Sequence, residues 1–373
     1  MKFYGPYCII SIGSDSFGLV RYSDCARKPH RANGAKKSTK AVPMPYLCSR
    51  AIKTNLLPSL LRSVFAVLFL AAGIIGFATY AAHAGQYRVV EHPLERNGIQ
   101  LFLQSISPAA GAMPEKQILF AHGVAFSSHP FDVDYKDYSL ARFLADHGYT
   151  VWLLDIAGFG RSGKVADGFM PNADYAAQDL NAAADMVLSL SKAKKLHLFG
   201  WSWGTVTASR FAARHPEKLR SLTLCAPILH GLGLMSVTEP FVTQEVWPHA
   251  YKDFRLLPNG AVDPQFAESE VVRLYTAGVK RYDNHPIPNG GRREVFGPKD
   301  GPLIPAGKLE LPVLYIWGAQ DKFMDAPALR RAIAATPGAV RVEVLPDAGH
   351  ALFLERPSHE RFHNILLEFL EAH

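Results

Sequence analysis

From Gln86 onward, short runs of β-branched and apolar residues alternate with longer stretches in which apolar positions recur every three to four residues. The first pattern reads as strand and the second as amphipathic helix. Their regular alternation predicts a mostly parallel sheet with helices on both faces. Eight strands are expected, at Tyr87–His92, Ile99–Ser105, Gln117–Ala121, Thr150–Asp155, Leu196–Gly200, Leu219–Cys225, Val313–Gly318 and Arg341–Pro346. Helices are expected at Tyr138–His147, Asp174–Ser191, Trp203–His215, Ala328–Ala335 and Ser358–Ala372. No helical stretch separates the first two strands, which predicts an antiparallel hairpin at the sheet edge.

The rhythm breaks between Ile228 and Leu311, where Pro, Gly and aromatics dominate and only short periodic stretches such as Phe266–Tyr275 remain. A structureless loop of that length does not belong in a compact domain. The segment, about 229–310, is expected to form a lid or cap inserted after the sixth strand.

Upstream of Gln86 the pattern is different. Ser63 to Ala82 is an uncharged, largely apolar run, preceded by Arg62, Lys53 and Arg50 and closed by Ala82-His83-Ala84. A basic flank, an apolar core and small residues at the cleavage positions describe a signal peptide ending at Ala84. The run is also long enough to act as an uncleaved membrane anchor. Both readings place residues 85–373 outside the cytoplasm, either exported or tethered through residues 63–82. Residues 1–62 show no helical or strand periodicity and are expected to be a disordered basic leader. Met44 would give a leader of ordinary length. The overall charge of +7 belongs to this leader: residues 1–84 carry 11 Lys and Arg against 2 acidic residues, and the remainder 29 against 31. The domain therefore offers no basic face for a nucleic acid. Cys8, Cys25 and Cys48 also fall in the leader. Only Cys225 remains in the domain, so no intrachain disulfide is expected there and the core must hold the fold.

Candidate chemistry centres on Gly200-Trp201-Ser202-Trp203-Gly204, where an apolar strand runs through G-x-S-x-G into a helix. This motif lifts a serine off a strand end on a tight turn, and glycine on both sides avoids clashes where the chain approaches itself. A serine hydroxyl needs a base to become nucleophilic, and the base needs a carboxylate to orient it. His350, in the loop after the last strand, is the expected base; His359 and His363 lie on the final helix and are expected to pack or face solvent. Asp321, just past the seventh strand, is the expected acid, with Asp325 its chief competitor. The segment Gly158-Phe159-Gly160-Arg161-Ser162-Gly163 is not a dinucleotide fingerprint. Neither zinc-ligand spacing nor a cofactor motif is present, so no metal and no cofactor are expected.

Residues 86–373 resemble the α/β-hydrolase superfamily. The resemblance rests on the serine elbow, on Ala121-His122-Gly123-Val124, on the segment Asp155–Gly163, on Trp317-Gly318-Ala319-Gln320-Asp321, and on Ala348-Gly349-His350. The order Ser, Asp, His is the one this fold uses. The resemblance implies an oxyanion hole made by the backbone N–H groups of Trp203 and Val124, with His122 bracing the loop. It also implies hydrolysis through an acyl-serine. Apolar walls around the site favour acyl or aryl groups, and Trp201, Phe126 and Trp247 are the expected substrate-lining residues. The leading expectation is an esterase or lipase-like enzyme acting on small-molecule or lipid-like esters. Alternatives are a proline-iminopeptidase-like peptidase, with Glu239, Glu245 or Glu268 receiving a free amino terminus, and a carbon–carbon bond hydrolase. A non-catalytic binding protein of the same fold is a remote fourth.

Overall fold

A computed structural model describes residues 86–283 and 286–373, together with the backbone of three short strands near the amino terminus. The chain divides into two units, Met1–Phe65 and Ala66–His373. In the first, strands Phe3–Tyr4, Tyr7–Ser11 and Phe17–Arg21 pair antiparallel in sequence order. The run 63–84 lies outside the described residues. Among the described residues no helix is long and apolar enough to cross a membrane.

In the second unit the eight expected strands form one sheet: β1 (Tyr87–Arg96), β2 (Ile99–Pro108), β3 (Gln117–Ala121), β4 (Thr150–Asp155), β5 (Leu196–Trp201), β6 (Leu219–Cys225), β7 (Val313–Gly318) and β8 (Val340–Leu345). Their spatial order is β1-β2-β4-β3-β5-β6-β7-β8. The β1–β2 hairpin is antiparallel and lies at the edge, β2 meets β4 antiparallel, and every later pairing is parallel. Strands β3, β4 and β5 are buried at every position, as continuous apolar runs in a sheet covered on both faces require.

The period of two divides the core into two layers. Leu119, Leu154, Leu198 and Leu222 face α2 (Ala173–Ser191) and α3 (Trp203–Arg214). Ile118, Phe120, Leu153 and Phe199 face α1 (Leu140–Asp146) and the carboxy-terminal α7 (Ser358–Glu371). Each fully buried Leu or Phe side chain contributes about 1.5–3 kcal/mol of transfer free energy, so these layers dominate the stability. Side-chain caps set the helix starts: Ser139 accepts the Arg142 N–H, Asn172 accepts the Tyr175 N–H, and Asp325 accepts the Ala328 N–H at the start of α6 (Ala326–Ala335).

Between β6 and β7 the chain builds an insertion with its own elements. A short ribbon pairs Phe241–Val242 with Ile287–Pro288. A 3₁₀ turn spans Trp247–Asp253, followed by α4 (Ser269–Tyr282) and α5 (Gly290–Phe296). Val271, Tyr275 and Val279 recur at intervals of four on α4 and are fully buried. That stripe is what anchors α4 to the body of the domain. Tyr275 meets Phe126 and Phe254 edge to face, and Gly278 leaves room for the His129 ring.

Candidate active site

The elbow has the geometry its sequence demands. Ser202 sits between β5 and α3 at φ 57°, ψ −123°, a conformation costly for any residue with a Cβ. A Cβ at Gly204 would collide with the Ala121 and His122 carbonyl oxygens, and one at Gly200 with the Gly204 carbonyl. The turn is held by hydrogen bonds on both sides. Ser202 N–H donates to the Cys225 carbonyl of β6 at 3.0 Å, and the Thr205 hydroxyl donates to the Ser202 carbonyl at 2.6 Å. Thr205 Oγ1 in turn accepts the Ile228 N–H at 3.2 Å, tying the elbow to the start of the insertion.

His350 and Asp321 meet beside one another. Nδ1 of His350 donates to Oδ2 of Asp321 at 2.8 Å, while Oδ1 accepts the Phe323 N–H at 2.9 Å. The pair is buried. The ring of His350 lies between Trp201 and Phe323, with centroid distances of 5.5 and 4.9 Å. Burial alone would lower its pKa, but the charge and hydrogen bond of Asp321, helped by Asp253, raise it above the ordinary value. For Asp321 burial acts upward, yet the His350 charge, the hydrogen bonds from His350 and Phe323 and nearby Lys322 hold it below the usual carboxylate range. Among the described residues no hydrogen bond joins the Ser202 hydroxyl to His350. Catalytic contacts of this kind often close only when substrate binds.

Beside the serine, Gly123 brings backbone against Ser202: a Cβ there would lie 3.0 Å from the serine Cβ and 3.5 Å from its hydroxyl oxygen. Among the described residues neither the Val124 nor the Trp203 N–H has a hydrogen-bond partner. Trp203 opens α3, where backbone N–H groups carry the positive end of the helix dipole. His122 is fully buried and braces this loop. Its Nε2 accepts the Ile156 N–H at 3.0 Å, so Nδ1 carries the proton and donates to the Gly123 carbonyl at 2.8 Å. Burial lowers its pKa, consistent with a neutral ring.

The competitors and lining residues have other partners. Asp325 caps α6 and accepts from His230 Nε2 at 2.9 Å. Trp201, expected to line the substrate cleft, is 2% exposed, packs on Phe131 and Phe353, and donates its indole N–H to the His350 carbonyl at 3.0 Å. It positions the histidine loop. Phe126 is likewise buried against Tyr275, and Trp247 packs in the insertion under the Lys280 ammonium. His359 and His363 are buried and stack on Tyr138 and Phe143. Asp137, His359 and Glu360 bring ligand-type atoms within 4.8 Å, but His359 already bonds Asp137.

Several site residues had no clear sign in the sequence. Glu355 is fully buried; its oxygens accept the Gly349 N–H at 2.5 Å, next to His350, and the Arg255 N–H of the insertion at 2.8 Å. Glu294 of α5 accepts from the Trp203 indole and from the Ala173 N–H, both at 2.9 Å. Asp283, at the end of α4, accepts the Ser127 N–H at 3.3 Å. The one available signal was at Glu355, a lone carboxylate closing the apolar run Ala351–Leu354.

This frame can be compared with known proteins. The Hydrolase_4 family model, described as serine aminopeptidase, S33, matches residues 112–357. The chain belongs to this family of α/β-hydrolases. It is 30% identical over 242 residues to a pimeloyl-[acyl-carrier protein] methyl ester esterase of Chromobacterium violaceum, covering 60% of this chain and 85% of the relative. It is 27% identical over 237 residues to a 2-hydroxy-6-oxononadienedioate/2-hydroxy-6-oxononatrienedioate hydrolase of Paraburkholderia phymatum, covering 61% and 78%. A putative aryl esterase of Burkholderia cenocepacia superposes with a TM-score of 0.54 at 22% identity, over 76% of this chain and 98% of that one. The last of these bears on the fold alone. Together with the family match, the curated relatives make the chain a hydrolase whose relatives include ester-cleaving enzymes.

Proposed function

We propose that this α/β-hydrolase cleaves carboxylic esters through an acyl-enzyme on Ser202, with His350 as base and Asp321 as its orienting acid. The observation that carries the reading is the strained serine turn whose own strand, through Trp201, holds the loop bearing His350, which pairs with Asp321. Nε2 of His350 takes the proton as Ser202 Oγ attacks the ester carbonyl, then passes it to the leaving alcohol. Water repeats the sequence on the acyl-serine, releasing the acid and restoring the hydroxyl. The N–H groups of Val124 and Trp203 receive the oxyanion at each tetrahedral stage.

The insertion acts as the lid in this reading. Support comes from Gly291, where a Cβ would lie 2.6 Å from both Trp203 and Val124, and from the bond between Glu294 and Trp203. The acyl group would lie against this insertion. The peptidase alternative needs an unengaged insertion carboxylate. Glu268 does not supply one, because Lys136, Tyr135 and Tyr138 bond to it, whereas Glu239 and Glu245 are exposed and make no side-chain bond among the described residues, so the anilide arm of the test separates the two readings. The leader 63–84 goes with export or tethering, which fractionation of cells expressing the full chain would read directly.

The test compares the protein from Gly85 with Ser202→Ala, using a fluorophosphonate probe, a series of p-nitrophenyl esters and aminoacyl-p-nitroanilides. Labelling and ester turnover are expected in the parent and lost in the variant. Turnover of anilides alone would replace the ester reading with the peptidase one, and ester turnover that survives in Ser202→Ala would remove Ser202 from the mechanism.

A further inference from the structure

Away from Ser202 the molecule carries a second concavity of about 800 Å³, between the end of the insertion (residues 299–308) and helix α6. None of Ser202, Asp321, His350, Val124 or Trp203 lines it. Its volume falls in the range of small-ligand sites, roughly 300–1,000 Å³. The walls are apolar: Leu229, Ile304 and Pro305 on one side, and Ala328, Ala332 and Ala335 along α6 on the other. Those alanines recur at spacings of four and three, so the helix turns one face of small side chains toward the groove. The small side chains leave room there for a guest.

The polar groups around the groove are unbalanced. Lys299 interacts electrostatically with Asp325, whereas Lys308 and Arg331, which also line the groove, make no side-chain hydrogen bond or ion pair among the described residues. Asp325 is the one carboxylate in the lining, and both of its oxygens are engaged, one capping α6 and one bonded to His230. An apolar trough with uncompensated cations complements one kind of ligand, a single apolar chain ending in an anion.

We propose that this groove binds a single-chain anionic amphiphile, with its chain along the α6 alanines and its head group on Lys308 and Arg331. The site is distinct from the ester-cleaving one and does not rest on the reading of Ser202.

The test uses the full chain and dodecanoate, supplied as monomer below its micelle concentration. A diazirine-bearing analogue is photocrosslinked and the modified peptides are mapped. Displacement of a fluorescent long-chain carboxylate measures affinity. Labels are expected within 299–308 or 326–335. Lys308→Glu/Arg331→Glu and, separately, the groove-filling Ala332→Trp are each expected to weaken dodecanoate about tenfold or more, with unchanged thermal unfolding. Dodecanol, which lacks the charge, should bind at least about tenfold more weakly than dodecanoate. Labelling of the Gly200–Gly204 peptide, equal binding of dodecanol, or full affinity in Ala332→Trp would overturn the proposal. So would retention by anionic vesicles without binding of the monomer, which would make the ligand a membrane surface.

Discussion

At His350 the environment acts on the pKa in opposite directions, and under the proposed mechanism the balance sets how the reaction responds to pH. The carboxylate of Asp321 outweighs burial, so the imidazole stays protonated to a higher pH than the ordinary 6.5. A base works only when neutral, so kcat/KM is expected to fall as pH drops through a value above about 6.5. Asp321→Asn removes the charge that raises the ring. Its acid limb should move down, while kcat falls by roughly 10⁴-fold through loss of the correct tautomer. A pH–rate profile of parent and variant reads both effects, and an acid limb that stays put would mean that Asp321 does not face the working base. At this scale the sequence is legible where position along an element decides the outcome. Ser202 follows directly on β5, and Asp321 and His350 lie in the loops just past the carboxyl ends of β7 and β8, at the same edge of the sheet. The period of two that turns Phe199 into the core turns Trp201 toward the same layer. Glu355 was illegible because its partners are backbone N–H groups 6 and 100 residues away, which no local pattern encodes.

Among the elements, the β5–elbow–α3 unit is the least tolerant of change. A methyl group at Gly204 has backbone carbonyls on its path rather than mobile side chains, so relief requires α3 to move away from β3. Gly204→Ala is expected to cost about 3 kcal/mol, visible as a lower urea midpoint with an unchanged m-value. An equal midpoint would show that the turn relaxes more freely than its contacts imply. The strands and helices of the body were readable within a few residues because continuous apolar runs and the helical period of 3.6 are both strong signals. The largest gain over expectation came at β1 and β2, each ten residues long. Their pairing is exposed at the edge, and polar residues carry the ladder past the point where apolar alternation stops. The insertion was readable only as an interruption, since α4 and α5 owe their positions to tertiary contacts that local propensity does not specify.

Across the second unit, the insertion is joined to the body by carboxylates, two of them buried and Glu294 half-buried. Glu294 holds the elbow tryptophan, Asp283 holds the loop after Val124, and Glu355 reaches from the histidine loop to Arg255. Removing a buried acceptor leaves its donors unsatisfied, at about 1–3 kcal/mol for each. Glu355→Ala strands two N–H groups, so a loss of about 3 kcal/mol is expected together with a lower kcat. Glu270→Ala, on the exposed pair with Arg273 within α4, should leave the unfolding midpoint near that of the parent. Differential scanning calorimetry on both variants separates the two cases, and an unaltered Glu355→Ala would mean that the insertion and the histidine loop are energetically independent. The stitching also bears on protein engineering. An exchange of residues 229–310 between relatives, made to alter substrate choice, would cut bonds whose other halves stay behind at Trp203, Ser127 and Glu355. Such a graft should succeed only when those receiving positions travel with it.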